Sequence, residues 1–327
     1  MTLRIGIAGT GWFAKVHADR LSRSDGVRVT GILGSTKEKA DAMAAGFDDA
    51  RGYAAMRDML DGERLDAVYL CVPPMAHGDL ERQLIERGIP FLVEKPLGID
   101  AALPKELLGR VLDKGLITSV GYHFRYKDTA ARLRSLLSER TVGMATGGWM
   151  GGMPGVHWWR RMEGSGGQFV EQTTHLVDLL RYAAGEVDEV YAAFGSRAMH
   201  RKHENVTVPD VGSVVLKLTG GAVATISNTC LLPSDAGSVG LSFFTEEGRI
   251  DWNPSELTAV GGGSGSRSVY TDPGDPYARE NEAFLHAVRT GDVSHIRSDY
   301  ADAYRTQAVT AAANASAAAG RPVKVEY

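Results

Sequence analysis

Cysteine is almost missing from this chain. Only Cys71 and Cys230 are present, far apart in sequence, and neither belongs to a pair at metal-ligand spacing. A disulfide framework and a cysteine-based metal centre are therefore both excluded as organising principles. Cys71 lies in an apolar run and reads as a core thiol. There is no stretch of the roughly 18 apolar residues that a membrane-spanning helix needs. The first residues enter a strand pattern directly, without a basic start, an apolar segment and a cleavage site. These absences predict a cytoplasmic protein with no membrane partner. Neither sign of charge dominates, with 36 Lys and Arg against 40 Asp and Glu, for a net charge of -4. A nucleic-acid partner is not expected from that balance. His200 and His203 are spaced three apart, but they sit in a segment that reads as a loop, and no metal is expected.

What is present is an ordinary globular composition, 43% apolar and 23% charged over 327 residues, enough for two domains with a large core. Leu3 to Ala8 is a short apolar run that reads as a buried strand. Gly9-Thr10-Gly11-Trp12-Phe13-Ala14 follows at once, and a helical pattern begins behind it. This is the G-x-G-x-x-G/A arrangement in its proper setting between a strand and a helix. The first glycine permits the tight turn, the second lets backbone approach a pyrophosphate, and the small Ala14 allows close helix–strand packing. The helix start offers unpaired N–H groups to phosphates. Gly9, Thr10, Gly11, Trp12 and Phe13 are thus candidate dinucleotide contacts.

Strand and helix patterns then alternate. Strands are predicted at 27–33, 67–72, 91–93 and 116–121, and helices at 36–45, 53–60 and 77–87. Apolar strands that do not alternate with polar residues belong to a parallel sheet covered on both faces. The expected fold class is α/β. A doubly wound dinucleotide-binding domain spans 1–121, and a second α+β domain with a large, mostly antiparallel sheet spans 122–327. A glycine- and serine-rich surface loop is expected at 261–266 and an alanine-rich structural helix at 301–319.

In NAD-binding folds an acid usually stands at the end of the second strand to hold the ribose hydroxyls. Here the residue at that place is Gly34, followed by Ser35, Thr36 and Lys37. Hydroxyls and a cation suit a 2′-phosphate that an acid would repel, so NADP is favoured over NAD. Ser35 or Thr36 also fits as the cap of the next helix. Val72, Pro73, Pro74 and His77 follow a strand at the carboxyl edge where ligands of this fold bind, which makes them candidate cofactor neighbours. Glu94 and Lys95 are delivered to the same edge by the 91–93 strand and stopped by Pro96. A lysine there can donate to a substrate oxygen and stabilise alkoxide character. Glu94 reads as its ion partner or as a polar strand end.

Further along, Gly166-Gly167-Gln168-Phe169-Val170-Glu171-Gln172-Thr173-Thr174-His175 reads as a loop entering a helix. At helical spacing Glu171, His175 and Asp178 share one face. Spacing alone is equally consistent with a solvated helix face. The preceding loop contains His157, Trp158, Trp159, Arg160 and Arg161. Indoles suit the C–H faces of sugar rings, and Arg and His suit their hydroxyls. Buried anchors are the alternative for the two tryptophans.

The nucleotide loop, the Glu94-Lys95-Pro96 sequence and the Gly-Gly…His-x-x-Asp stretch occur in an order and at intervals that resemble the Gfo/Idh/MocA family, relatives of glucose–fructose oxidoreductase and inositol dehydrogenase. The resemblance covers essentially the whole chain, including Gly121-Tyr122-His123-Phe124-Arg125-Tyr126 and Gly320-Arg321-Pro322-Val323. It implies hydride transfer between a nicotinamide cofactor and a secondary alcohol or ketone of a sugar or cyclitol. It also implies that Lys95 and His175 are catalytic, assisted by Glu171, with Asp178 as the second candidate for that task. Tyr122, Arg125, His157, Trp159, Arg160, Gln172 and His175 become the candidate contacts to a small polyol. A homodimer or homotetramer through the second domain's sheet is implied as well. The chain departs from the family's usual pattern at Glu171, where Asp is commoner, and at Thr173, where Gly is commoner. Two other readings remain open at this stage, a dehydrogenase of a dihydrodiol or aldehyde and a dinucleotide-binding regulator without catalysis.

Overall fold

The computed structural model describes residues 2–233, 235–262 and 265–327. The chain forms two compact units. The first comprises residues 1–97, 102–121 and 277–303, and the second residues 98–101, 122–276 and 304–327.

The first unit is built on a six-stranded parallel sheet of order β3-β2-β1-β4-β5-β6. Its strands are β1 (Leu3–Ala8), β2 (Val27–Leu33), β3 (Arg51–Tyr53), β4 (Ala67–Leu70), β5 (Phe91–Val93) and β6 (Thr118–Val120). The connecting helices are α1 (Trp12–Leu21), α2 (Lys37–Ala44), α3 (Met56–Gly62), α4 (Asp79–Arg87) and α5 (Ala102–Lys114). Ile5, Ile7, Tyr69 and Leu92 are fully buried, as strands sandwiched between helix layers must be. The order reverses beside β1, so the carboxyl ends of β1 and β4 flank the crevice where ligands of this topology bind.

Two sequence expectations need amending in this unit. Arg51–Tyr53 is a strand paired with Gly31–Leu33, where a helix was expected from residue 53. Three residues are too few to show a period, and pairing with β2 decides the matter. The single boundary at 121 is also too simple. Residues 122–276 belong to the second unit, but most of the 276–290 helix returns to the first. There Phe284 and Leu285 join the buried cluster of Ile5, Ile7 and Leu92, and Phe284 meets Tyr69 edge-on at 5.5 Å. Helical periodicity announces a helix but does not say which sheet it covers.

The second unit holds a nine-stranded sheet of order β14-β13-β12-β11-β7-β10-β9-β8-β15. Its strands are β7 (Val142–Met150), β8 (Val187–Gly195), β9 (Val211–Leu218), β10 (Val223–Thr229), β11 (Ser238–Thr245), β12 (Gly248–Trp252), β13 (Glu256–Gly261), β14 (Arg267–Thr271) and β15 (Val323–Lys324). All neighbours are antiparallel except β7 and β10, which run parallel. The helices of the chain from here on are α6 (Asp128–Ser138), the short α7 (Met162–Ser165) and α8 (Gln168–Glu171), α9 (Thr174–Ala184), the short α10 (Met199–Lys202), α11 (Pro276–Thr290) and α12 (Tyr300–Ala319). Leu133 of α6, Leu176 and Leu180 of α9 and Val309 of α12 bury one sheet face in a single cluster with Val214, Leu216, Ile226 and Phe243. The opposite face keeps apolar side chains exposed. Phe244, Met144 and Val223 are register neighbours across β11, β7 and β10, and Val215 and Tyr191 are paired across β9 and β8.

The His200–His203 segment, expected as a loop, contains the helical turn α10. Its cause lies further along the chain. Asp210 accepts from the backbone N–H groups of Arg197, Ala198 and Met199, each at 2.8 Å, and so caps the turn. Burial pushes the Asp210 carboxyl up, but these three donors outweigh it and hold it below its ordinary value. In the expected 261–266 loop, Gly263 and Ser264 lie outside the described residues.

Candidate active site

The nucleotide loop takes the form its glycines require. Gly9 follows β1 with φ at +120°, and a Cβ there would stand 2.3 Å from the carbonyl oxygen of Cys71. Any side chain at that position collides with the backbone after β4. Gly11 is the N-cap of α1, and a Cβ there would meet nothing within 4 Å, so its backbone faces open space. The first turn of α1 carries no acidic residue. Thr10 and Phe13 are half-buried around this opening and Trp12 is 68% exposed. An open, acid-free helix start beside a glycine turn fits the pyrophosphate of a dinucleotide.

At the end of β2, Gly34 is forced by packing. A Cβ would come within 2.8 Å of the Thr36 carbonyl and 2.9 Å of the Ala40 nitrogen. An acid at this position is therefore excluded sterically as well as by sequence. Thr36 is the N-cap of α2, and its hydroxyl accepts from Lys39 N–H at 3.3 Å. Ser35 accepts from the Lys39 ammonium at 3.3 Å, and Lys37 pairs with Asp41 at 2.6 Å. The capping role and the exposed hydroxyls and ammonium groups coexist. Lys39 joins the set and was not singled out from sequence.

Val72 and Pro73 are half-buried after β4, and Pro74 is buried in a short 3-10 turn. His77 stands where the 77–87 helix was expected to begin, and it serves that helix start. Its side chain is 1% exposed and its Nδ1 lies 2.5 Å from Glu81, whose other oxygen accepts from Gly78 N–H at 2.6 Å. Burial pushes Glu81 up, but the facing imidazole and the Gly78 N–H overcome it and leave the carboxyl lowered. His77 is thus a lock on the start of α4.

Lys95 follows β5 and is 9% exposed, and the Lys95–Pro96 peptide is cis. Glu94 has a partner that sequence did not suggest. Its carboxylate lies 2.9 Å from Nε2 of His17 on α1, whose Nδ1 lies 2.9 Å from the Asn281 side chain on α11. All three side chains are buried. Three segments more than 70 residues apart thereby fix the backbone that presents Lys95. The only sequence signal was a histidine in the middle of an apolar helix face.

In the second unit, His175 lies in the first turn of α9 and is 4% exposed. Aromatic rings surround it. Tyr122, His123 and Phe124 stand with centroids at 5.9, 4.9 and 5.0 Å, and Trp149 stacks at 6.0 Å with the planes 22° apart. His123, Phe124 and Trp149 were not anticipated. The nearest hint was the aromatic run 122–126.

Glu171 ends α8 four residues before His175. Its Oε2 accepts from the Trp159 indole at 2.7 Å. Trp159 is 1% exposed in a cluster with Met199, Val208 and Cys230. It is therefore a buried anchor and not the stacking platform for a sugar that its loop suggested. The longer Glu side chain reaches this indole, which gives the departure from Asp a structural counterpart. His157 is exposed and Arg160 half-buried in the same turn. Gln172 is half-buried and accepts from Gln168, which also donates to Thr229 O at 2.9 Å and accepts from Asn228 at 2.8 Å. Gln168 is the link that docks α8 on β10.

Three other candidates are corrected. Arg125 is 3% exposed and clasps Asp178 with two hydrogen bonds of 2.8 and 2.7 Å, while Thr306 donates to the same carboxylate at 3.0 Å. Arg125 was expected to hold substrate and Asp178 to orient His175. Both belong to a buried ion pair joining the 123–126 turn to α9. Tyr122 is fully buried, with its hydroxyl 2.9 Å from that of Thr174. It is a neighbour of His175 and has no surface to offer a polyol. Thr173, at the position where Gly is commoner, is also fully buried.

Comparison with known proteins agrees with this architecture. Residues 3–122 match the oxidoreductase family with an NAD-binding Rossmann fold, and residues 138–251 match the GFO/IDH/MocA C-terminal domain. An inositol 2-dehydrogenase of Rhizobium meliloti is 27% identical over 234 residues, covering 70% of this chain and 69% of that protein. A D-xylose 1-dehydrogenase (NADP(+)) of Haloferax volcanii is 26% identical over 305 residues, covering 89% of this chain and 90% of that protein. Among solved structures, levoglucosan dehydrogenase in complex with NADH superimposes with a TM-score of 0.89 at 19% identity over the full length of both chains.

Proposed function

Because the chain belongs to the Gfo/Idh/MocA oxidoreductase family, we propose that it is a dehydrogenase of a sugar or cyclitol hydroxyl that uses NADP in preference to NAD. One observation carries this reading. A single chain holds an open, acid-free glycine loop, a buried Lys95 and a buried His175. Burying ionisable groups costs free energy, and a protein that only sensed a dinucleotide would not need both.

Gly9, Thr10 and Gly11 hold the pyrophosphate, and Ser35, Thr36, Lys37 and Lys39 hold the 2′-phosphate. The relatives named for inositol and for D-xylose with NADP(+) support the polyol class and the cofactor preference. When bound, the nicotinamide supplies the hydride acceptor for alcohol oxidation. Lys95 donates a hydrogen bond to the reacting oxygen and stabilises its developing negative charge. His175 takes the hydroxyl proton as general base, and returns it when the reaction runs toward alcohol. Glu171 orients His175 or a neighbouring substrate hydroxyl. His157, Arg160 and Gln172 remain the polyol contacts. The exposed apolar rows on the second unit's sheet, around Met144, Val223 and Phe244, are assigned to a contact with further copies of the chain.

The test is formation of the reduced-nicotinamide absorbance with NAD or NADP against a panel of cyclitols, aldoses and sugar derivatives. Lys95→Met should bind the cofactor as the unmodified protein does and lose on the order of 100-fold or more in turnover, the scale of a lost charge-stabilising donor. Absence of reduction with every polyol, or full turnover of Lys95→Met, refutes the proposal.

A further inference from the structure

The first unit contains a second cluster of chemistry-bearing side chains that the dehydrogenase reading leaves unused. His286 lies near the carboxyl end of α11, and Asp292 and His295 lie in the segment after it. One ligand atom from each comes within 4.8 Å of the other two. His286 Nε2 and Asp292 Oδ2 are 3.3 Å apart, and the two imidazole rings have centroids 4.8 Å apart. From these residues we infer that the chain has a surface site for a borderline divalent cation such as Zn²⁺, with His286, Asp292 and His295 as its ligands.

The donor set and the spacing both favour such an ion. Two imidazoles and a carboxylate suit Zn²⁺, Ni²⁺, Co²⁺ and Cu²⁺ better than the all-oxygen preference of Mg²⁺ or Ca²⁺. Metal–ligand bonds of about 2.0–2.1 Å in a tetrahedron place neighbouring donors roughly 3.3 Å apart. The His286–Asp292 pair already stands at that separation. His295 is exposed, so side-chain rotation can bring it in without moving the core.

The loop also orients the carboxylate. Gly291, at φ +79°, turns the chain out of α11. Thr290 donates to His286 O at 2.8 Å and accepts from Asp292 N–H at 3.1 Å. Asp292 Oδ1 accepts from Ser294 N–H at 2.9 Å, which leaves Oδ2 toward His286. This is the outer hydrogen bond that metal carboxylates commonly have. The carboxyl end of a 15-residue helix adds a field that favours a cation.

The site would clip the end of α11 to the segment leading into α12. That segment is already stitched to β6, since Ser298 O accepts from Val120 N–H at 2.9 Å and Thr118 accepts from Tyr300 N–H at 3.1 Å. The role is structural, because nothing in the proposed dehydrogenase chemistry uses these residues.

The experiment titrates Zn²⁺ into the full chain by calorimetry, after removal of any tag and of adventitious metal with a chelator. The expected result is one saturable site and a melting temperature that rises with Zn²⁺ until the site is filled. His286→Ala with His295→Ala should weaken binding by at least about 100-fold, beyond the roughly 10–100-fold typical of a lost outer partner. Asp292→Asn should weaken it less. NADP binding by each variant verifies its fold, and His295→Ala alone serves if the double variant fails to fold. No saturable site, or equal Zn²⁺ affinity in the parent and His295→Ala, overturns the inference.

Discussion

The glycine loop of the first unit and the His175 region of the second are built on opposite principles. Residues 9–14 form their structure with neighbours in sequence. β1 leads in and α1 leads out, while Gly9 is also held by the Cys71 carbonyl that presses on it and by the Leu33 carbonyl, which accepts from its N–H at 2.8 Å. The surroundings of His175 come from four separate segments. The 122–126 turn, β7, the 157–160 turn and α8 each place a side chain near it or near Glu171. The first arrangement can be read from spacing. The second depends on which distant polar groups find one another once buried.

The strongest way to break that contrast is to remove a distant partner. Arg125→Leu should leave the Asp178 carboxylate buried without its cation. Removing one member of a buried pair costs about 3–5 kcal/mol, so this variant should unfold at much lower denaturant than the parent. An unchanged denaturation midpoint would show that the Arg125–Asp178 pair does not support α9. Replacing both partners together by apolar residues should be far milder than Arg125→Leu alone, since no charge is then stranded.

A subtler probe keeps the packing and deletes one donor. Trp159→Phe preserves an aromatic ring among Met199, Val208 and Cys230 and removes the N–H that holds Glu171. Hydrogen bonds to charged groups contribute about 1.5–3 kcal/mol. If Glu171 acts on His175 or substrate, the loss should appear in kcat and in the pH profile, with cofactor affinity unchanged. A change in stability alone, with kcat and the pH profile preserved, would reduce the Trp159–Glu171 bond to a structural strut.

The division between what sequence disclosed and what it hid follows the same line. The α/β class, the parallel sheet, the glycine loop and the helix carrying His175 rest on local periods and turn residues, and these were legible. Strand β3 was not read, because it is short and its pairing with β2 supplies what periodicity lacks. Trp159 and Arg125 carried the residue types of ligand contacts, yet each is held internally by a carboxylate, and one ring nitrogen of His77 is held in the same way. A polar residue type tells that a partner is required when it is buried, and only the fold tells whether the partner is protein or ligand. His17 and Asn281 show the converse. They fix Glu94 beside Lys95 from positions that no motif connects.

Within the glycine loop itself, two alanine substitutions sharpen the comparison, because the proposed dinucleotide site would need Gly9 and Gly11 for different reasons. A methyl at Gly9 must enter a backbone at φ +120° and stand 2.3 Å from a carbonyl oxygen. Strained backbone of this kind costs about 1–3 kcal/mol, so Gly9→Ala should lose stability even without cofactor. A methyl at Gly11 meets nothing within 4 Å, and stability without cofactor should stay within about 0.5 kcal/mol of the parent, as for an ordinary surface change. On the proposed reading the methyl at Gly11 instead occupies the space meant for the pyrophosphate, so its cost should appear only as weaker NADP binding. Melting curves with and without NADP separate the two. Equal losses in the absence of cofactor would mean that the open space at Gly11 is not reserved for a phosphate, and the loop would then be a turn and nothing more.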